Sequence, residues 1–340
     1  MRLCTESKLP ITLLALCLTT GCTSWGKFWE IDSELSACRS HTANDSRAMI
    51  CVPANTSGFL RGSNVVGVQA SPEHTVASIK LFALAKYEVS YAQWLAVKTW
   101  ATSGNGYTFA LTGTQGNSGG GTDQHPVTTI NWRDAIIWCN AASQKEGLNP
   151  VYFTDAAFSI PLKTATTTAS VNSSAGSQDN PYINWSANGY RLPTGAEWEY
   201  AARYSDGTNY TRGDAPSGWL DNNTGNGAVD TAEINTIAWY LTNSGSATHP
   251  VGTASANALG FLDMAGNIFE WTSDWFTNNY GNGSPFTDAD SQGGPPGSNL
   301  RATRGGAYSS PATELVTTKP AGTNPWNGFG DTGFRPARRP

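Results

Sequence analysis

The sequence predicts an α+β fold made of short helices and strands joined by long ordered loops. Apolar residues recur at helical spacing over residues 91–100 and 132–146. Runs typical of strands occur over residues 49–53 and 79–89. The 36 Gly and 13 Trp indicate a loop-rich chain whose loops are held in place by buried indoles.

The first 21 residues are typical of a bacterial lipoprotein signal peptide. A short basic start precedes an apolar run over residues 9–18, which is too short to span a bilayer. Gly21-Cys22 resembles the end of a lipobox. We therefore expect cleavage before Cys22, lipid attachment at Cys22 and a polar tether over residues 22–47. Ordinary secretion, with Cys22 as a bystander, is the alternative.

Three cysteines remain in the domain once the signal peptide and the lipidated residue are set aside. Cys38 and Cys51 could form a disulfide in an oxidising compartment. Cys139 lies inside a helical pattern and is expected to be a small buried apolar residue. No cysteine spacing typical of a metal site occurs.

Three helices have recognisable starts. Ser90 can cap the first helix, and Asn131 can cap the second, which can end at Gly147. Thr194 and Glu197 form a capping box for the third. These signals place short helices between the strand-like runs.

The charge content excludes one class of function. Charged residues make up 14% of the chain and the formal net charge is −5. Nucleic-acid binding requires a basic patch, which this composition does not favour. The low charge and abundant small polar residues favour a protein outside the cytoplasm, and we expect it to be a monomer.

Several motifs occur in a defined order along the chain. They are Tyr87-Glu88-Val89-Ser90, His125-Pro126-Val127 with Asn131-Trp132, Arg191-Leu192-Pro193-Thr194 with Glu197-Trp198-Glu199-Tyr200-Ala201, the segment from Gly260 to Trp271, Arg304-Gly305-Gly306, and Gly333-Phe334-Arg335. Together they resemble the formylglycine-generating enzyme and sulfatase-modifying-factor family, whose fold is a loop-rich variant of the C-type lectin fold. The resemblance implies one such domain over residues 48–340.

The activity of that family is not expected here. Its oxygen-using members bind copper through two cysteines placed five residues apart after the Arg-Gly-Gly motif, and the matching positions hold Ser310 and Leu315. A hydroxyl is a poor ligand for monovalent copper and an alkyl group is no ligand. The related sulfoxide synthases need clustered histidines, whereas the four histidines here are scattered. We expect no enzyme activity and no catalytic cofactor.

The C-terminal region over residues 304–338 also resembles the variable proteins of diversity-generating retroelements, most closely the treponemal variable protein. In that resemblance the flanking motifs are constant, and the residues between them are diversified and contact a ligand. The predicted ligand-binding residues are Ala307, Tyr308, Ser309, Ser310, Pro311, Thr313, Glu314, Trp326, Asn327, Phe329 and Asp331. Their mixture of rigid aromatic and small hydrogen-bonding side chains is typical of antibody paratopes. An ordinary loop with its aromatic residues turned into the core is the alternative.

The resemblance also implies a structural calcium ion. In the family the matching segment wraps Ca²⁺ with two side chains and two carbonyls, here Asp263 and Glu270 with the backbone of Gly266 and Ile268. Hard oxygen ligands suit this ion. The alternative is that Glu270 pairs with an arginine and Asn267 caps a turn.

The sequence thus predicts a lipid-anchored protein of the cell envelope, displayed on the outer-membrane surface. It would bind an unknown protein or cell-surface ligand without catalysis, and the bilayer through its N-terminal anchor. An enzyme of the same fold with unrecognised chemistry and a purely structural envelope lipoprotein are the alternatives.

Overall fold

A computed structural model describes most of the chain. The described residues are 24–42, 45, 47–64, 73–117, 121–206, 209–219, 231–276 and 299–340. The expected signal peptide and the lipidation site at Cys22 lie outside them.

The described part of the chain contains five α-helices and one short 3₁₀ helix. They are α1 Ser24–Thr42, α2 Tyr91–Thr102, α3 Trp132–Lys145, α4 Gly195–Arg203, α5 Thr231–Ile237 and the 3₁₀ helix Ala312–Glu314.

The strands of the described residues are short and fall into two four-stranded sheets and three two-stranded ribbons. They are β1 Met49–Val52, β2 Phe59–Arg61, β3 His74–Val76, β4 Phe82–Ala85, β5 Thr114–Gln115, β6 Val127–Thr128, β7 Tyr152–Phe153, β8 Tyr182–Ile183, β9 Tyr190–Arg191, β10 Phe269–Trp275, β11 Arg301–Arg304, β12 Ala321–Thr323, β13 Thr332–Gly333 and β14 Ala337–Arg338. Mixed short elements joined by long loops confirm the predicted α+β class.

The first sheet closes the domain by joining its two ends. Its strand order is β1-β4-β14-β9, and its pairs are antiparallel. Ala337 lies opposite Leu84 on one side and Arg191 on the other. The last strand of the chain is therefore inserted between strands that come much earlier in the sequence.

The second sheet carries the C-terminal region. Its strand order is β12-β11-β10-β13. β11 pairs antiparallel with both β12 and β10, whereas β10 and β13 are parallel. Glu270 is opposite Arg304 in one pair and Gly333 in the other. Both motifs that flank the predicted ligand-binding residues are thereby placed beside the same residue of β10.

The three predicted helix starts are confirmed. Ser90, Asn131 and Thr194 each accept a hydrogen bond from the backbone N–H three residues later, and the side chain at that later position caps the start in return. These reciprocal capping boxes satisfy backbone donors that the helices leave unpaired.

Residues 22–47, expected from their polar composition to be a tether, contain helix α1. The Cys38–Cys51 disulfide links α1 to β1. Arg47 lies between α1 and β1 and ties this connection to α3, because its guanidinium lies 2.6 Å from the Glu146 carboxylate at the end of that helix. Within α1, Cys38 is buried and Leu35 packs against the core, and the Arg338 guanidinium donates to the His41 carbonyl at 2.8 Å.

Tryptophan side chains fill much of the core. Five of them are at most 1% exposed: Trp94, Trp132, Trp138, Trp198 and Trp271. Two show how indoles hold loops, because Trp94 donates to the Thr112 carbonyl at 3.0 Å and Trp132 donates to the Thr272 carbonyl at 2.8 Å. Cys139 is buried and free, as expected.

A buried ionic cluster links three separate segments. The Glu199 carboxylate on α4 is fully buried and lies 3.0 Å from Arg203, 3.2 Å from Arg304 and 3.5 Å from Arg61. The Gly62 N–H also donates to it at 2.8 Å. Burial alone would raise the pKa of Glu199, but the neighbouring arginines outweigh it and lower this pKa.

We predict that Glu199→Gln lowers the free energy of unfolding by about 3–5 kcal/mol, because it leaves buried arginines without their anion. Since the folded-state pKa is depressed, the stabilisation by Glu199 is complete above the unfolded-state pKa of about 4.3 and is lost as pH falls through the folded-state pKa. Urea denaturation at pH 7 and in steps below pH 4 measures both effects. The exposed carboxylate change Glu34→Gln is the control, and an equal response of the two variants would contradict the prediction.

Candidate ligand-binding face

The predicted ligand-binding residues lie in one stretch, residues 307–331, which we call the display segment. Both of its flanks are buried. Arg304 before it and Phe334 and Arg335 after it are each fully buried. The segment therefore leaves the core and returns to it at two fixed points.

The entry to the display segment is fixed by charge and by close backbone packing. Arg304 donates to the Thr317 carbonyl at 3.0 Å in addition to its contact with Glu199. Gly306 has a φ of +75°, and a Cβ atom there would lie 2.7 Å from a Leu315 methyl carbon. Only glycine fits this turn without strain.

The exit is fixed in the same way. Arg335 makes a two-pronged ion pair with Glu270, with contacts of 2.6 to 2.9 Å, and also donates to the Leu262 carbonyl. Phe334 packs edge-on against Trp138 with ring centroids 5.3 Å apart. A Cβ atom on Gly333 would lie 2.3 Å from the Val127 carbonyl oxygen.

Between these flanks most of the predicted residues face outward. The exposed ones are Ser309, Pro311, Thr313, Asn327 and Phe329, and the half-buried ones are Tyr308, Glu314, Trp326 and Asp331. The predicted alternative, in which the aromatic residues turn fully into the core, does not describe Trp326 or Phe329.

Ala307 and Ser310 do not lie on this surface. Ala307 is fully buried and Ser310 is 3% exposed. The Ser310 hydroxyl accepts a hydrogen bond from the Ala307 N–H at 3.1 Å, and the Ser310 N–H donates to the Ala307 carbonyl at 2.9 Å. Their expected ligand contacts are therefore replaced by a tight internal turn, which sequence spacing alone could not distinguish from an exposed loop.

The two positions that match the copper-binding cysteines serve the structure. Ser310 closes the turn just described, while Leu315 is fully buried in a cluster with Trp219 and Ile234. The side chains at these positions provide packing and one neutral hydroxyl, which are unsuited to holding monovalent copper.

The backbone of the second half of the segment is held by hydrogen bonds from residues outside the segment. The Phe329 carbonyl accepts from the Thr129 N–H at 2.9 Å, and the Asp331 carbonyl accepts from the Phe269 N–H at 2.7 Å. The Trp326 carbonyl accepts from the Asn131 amide at 3.3 Å. These three bonds use backbone carbonyls of the display segment, so they do not depend on the identity of its exposed side chains.

Loops from elsewhere in the fold join the two halves of the display segment. The Ser244 hydroxyl donates to the Tyr308 carbonyl at 2.8 Å. Asn117 accepts from the Thr248 N–H at 2.7 Å, and its Cβ lies 3.7 Å from the position of a Cβ on Gly330. The halves therefore form one face, with residues 115–117 and 241–249 between them.

A shallow groove runs along the second half of the segment. It has a volume of about 270 Å³ and is lined by Phe329, Asp331 and Asn324 together with Phe269 and Leu300. Phe269 and Leu300 lie outside the display segment in sequence and reach this groove only through the pairing of β10 with β11 and β13.

The expected calcium ligands are only partly suited to a cation. Both Glu270 oxygens accept hydrogen bonds from Arg335, and one also accepts from the Trp198 indole at 2.7 Å. Glu270 is therefore paired with an arginine, as in the alternative stated for it. Asp263 fits better, because its Oδ1 is buried without a hydrogen-bond donor.

A second buried carboxylate lies beside Asp263. Glu88 is fully buried, and its Oε2 also lacks a hydrogen-bond donor. Burial, followed by the charge of Asp263, raises the pKa of Glu88 well above its usual value. Burial also raises the pKa of Asp263. The charge of Arg335 acts on both carboxyl groups and opposes this rise. No group of three or more His, Cys, Asp or Glu among the described residues is arranged to hold a metal.

These features define a lectin-like scaffold whose C-terminal display segment is partly exposed between two buried flanks. Comparison with known proteins shows the family to which the chain belongs. The chain matches the sulfatase-modifying factor enzyme 1-like domain over residues 36–340 and belongs to that family. The match begins within α1, before the boundary at residue 48 that was predicted from the motifs.

Relatives of known name cover part of the chain. Chaperone protein LppX of Paenibacillus barcinonensis is 36% identical over 202 residues, which is 58% of this chain and 63% of that protein. The formylglycine-generating enzyme of Mycobacterium tuberculosis is 42% identical over 97 residues, 28% of this chain and 30% of that enzyme. The chain thus spans less than two thirds of the length of these relatives.

Solved structures match over more of the chain. Treponema denticola variable protein 1 has a TM-score of 0.64 and 29% identity, covering 86% of this chain and 95% of its own. PvdO from Pseudomonas aeruginosa has a TM-score of 0.58 and 21% identity over 86% of this chain and 94% of its own, and shows the shared fold. The expected family and the likeness to a treponemal variable protein are confirmed.

Of the helices that the structure describes, none combines the length and the apolarity needed to cross a bilayer.

Proposed function

We propose that this protein binds a macromolecular ligand through the exposed side chains of the display segment, without catalysis. The observation that carries the proposal is the contrast between the buried, hydrogen-bonded flanks and the outward-facing residues between them. Such an arrangement holds the backbone in place and leaves the exposed side chains free to differ between versions of the protein.

The composition of the face supports binding. Exposed Ser309, Thr313 and Asn327 offer adaptable hydrogen bonds, while Trp326 and Phe329 offer rigid apolar area. Paratopes use the same combination. The likeness to a variable protein and to a protein named as a chaperone is consistent with a fold used for binding. The buried Ser310 and Leu315 argue against the copper chemistry of the enzymes in the family.

We predict that Trp326→Ala combined with Phe329→Ala weakens ligand binding by about 2 kcal/mol or more, because a few large side chains, Trp prominent among them, supply most of the binding energy of an interface. Unfolding free energy should fall by only about 1 kcal/mol, since neither ring is fully buried. A photo-crosslinking amino acid at Asn327 can first capture the natural ligand on whole cells, and its affinity for each variant is then measured by interferometry.

The matched control for this pair is Phe158→Ala. Phe158 is 40% exposed, compared with 38% for Phe329, and lies outside the display segment. Unchanged binding by the double variant, or an equal loss in the control, would place the interface elsewhere.

Diversification of the display segment is part of the proposal. Positions such as Ser309 and Thr313 can arise from an Asn codon by changing adenines, and neither side chain is needed for the fold. The adjacent DNA should then contain a reverse transcriptase gene and a near-copy of the last coding segment that differs at template adenines. If both are missing, diversification is excluded while binding by a fixed surface stands.

Display on the cell envelope also remains a proposal. Gly21-Cys22 supports lipid attachment at Cys22, with secretion as the alternative, and we propose the outer-membrane surface as the place of display. The mass of the mature N-terminus distinguishes the two, because a lipid on Cys22 adds acyl chains that a secreted form lacks.

We also propose a structural calcium ion at the turn formed by residues 263–270, held by Asp263 with the backbone of Gly266 and Ile268. Calcium should raise the midpoint of thermal unfolding, by an amount equivalent to about 2.7 kcal/mol at a hundredfold excess over the dissociation constant. Chelation should reverse the shift, and Asp263→Asn should abolish it. If calcium leaves the unfolding midpoint of the wild-type protein unchanged, the proposed calcium site is refuted.

A further inference from the structure

The groove beside the second half of the display segment is built from two parts of the chain. Phe329 and Asp331 of the segment contribute to its lining, and so do Phe269 and Leu300, which lie outside the segment. The half-buried strand β12 also lines it. Residues of the scaffold therefore meet side chains of the segment in one cavity of about 270 Å³.

This groove contains a carboxylate without a cation beside it. Of the described residues that line it, Asp331 alone is charged. The other charged residues of the segment, Glu314 and Lys319, pair with each other at 3.5 Å. Asp331 accepts a hydrogen bond from the Thr332 hydroxyl at 3.0 Å and makes no ion pair with a described residue. Residues 277–298, which lie outside the described part of the chain, contain no Lys or Arg.

Such a carboxylate favours a positively charged partner. Asp331 is half-buried, so an apolar group placed over it would remove more of its water at a cost and offer no bond in return. An anion would be repelled. A sugar hydroxyl would supply only a neutral hydrogen bond, which is about half as strong as one assisted by charge.

The apolar part of the lining favours arginine among the possible cations. Phe269, Leu300 and Phe329 offer aromatic and aliphatic surface. An arginine side chain has an apolar stem and ends in a planar cation, which can bond both oxygens of a carboxylate and lie against an aromatic ring. The ammonium group of lysine is more strongly hydrated and therefore loses more when it leaves water.

The shallow shape of the groove favours an arginine that belongs to a protein. A free cation bound there would make few contacts to offset the freedom that it loses on binding. Phe329 lines the groove and is also 38% exposed on the outer face, next to half-buried Trp326 and exposed Asn327. A protein that covers these residues gains further contacts and brings its arginine to Asp331 in the same binding event.

We propose that this groove binds an arginine side chain of a protein ligand, with Asp331 pairing with the guanidinium and the three apolar side chains packing along the stem. The inference rests on the proposed binding function of the display segment and names the chemistry that its ligand carries. Phe269 and Leu300 lie outside the region proposed to vary, so every version of the segment shares this apolar surface. A version without an acidic residue at position 331 would select a different side chain.

Calorimetric titration of the full chain with a short, otherwise uncharged peptide that contains one arginine tests this proposal. The matched peptide contains citrulline, which keeps the length and the planar end of arginine but lacks its charge. The wild-type protein should bind the arginine peptide about fivefold more tightly, as expected for a partly exposed ion pair. Added salt should reduce the difference. Asp331→Asn should abolish it by weakening only the arginine peptide, since the amide oxygen can still accept from Thr332.

The control variant is Asp123→Asn, which removes an exposed carboxylate outside the groove and should keep the preference for arginine. The proposal is refuted if the wild-type protein binds the two peptides equally, if it binds neither at millimolar concentration, or if the preference survives in Asp331→Asn. Loss of the preference in the control would attribute it to overall charge and would also refute the site. If arginine methylamide binds as tightly as the arginine peptide, the choice of a protein ligand is overturned.

The proposed function is tested separately, with the ligand captured on whole cells. If the Trp326 and Phe329 double variant loses that ligand while the preference for arginine is absent, the proposed function stands and the arginine site is refuted. If the preference is present but the double variant keeps the captured ligand, the groove binds arginine and the proposed function is refuted.

Discussion

Neutralisation of two buried arginines is the constraint on which the C-terminal face depends. Arg304 enters the display segment against Glu199, and Arg335 leaves it against Glu270. A buried charge without its partner destabilises a fold by several kcal/mol, so these pairs leave little freedom in where the chain may run. Because both carboxylates are provided by regular elements, α4 and β10, the ends of the segment are positioned independently of its middle.

This separation explains how one fold can serve unlike purposes within a family. The backbone of the segment is satisfied by partners such as Thr129, Phe269 and Ser244, which lie outside it. A substitution at an exposed position then leaves no buried polar group unpaired. The same geometry that would bring two cysteines together in an enzyme here packs Leu315 and closes a turn through Ser310.

The sequence patterns predicted those features that depend on residues close together in the chain. The capping boxes at Ser90, Asn131 and Thr194 were visible in the sequence because the partners lie three residues apart. The motif order also predicted the fold class and the family. The burial of Ala307 and Ser310, the approach of Phe269 to the display segment and the helix in the supposed tether depend on long-range packing, which residue spacing does not encode.

The covalent link between Cys38 and Cys51 has a mechanical consequence. If the chain is tethered at its N-terminus, tension on the folded domain passes from α1 into β1 through the sulfur–sulfur bond. Residues 39–50 then carry little of this load. Because β4 pairs with β1 and β14 pairs with β4, the load continues through the first sheet to the strand that follows the display segment.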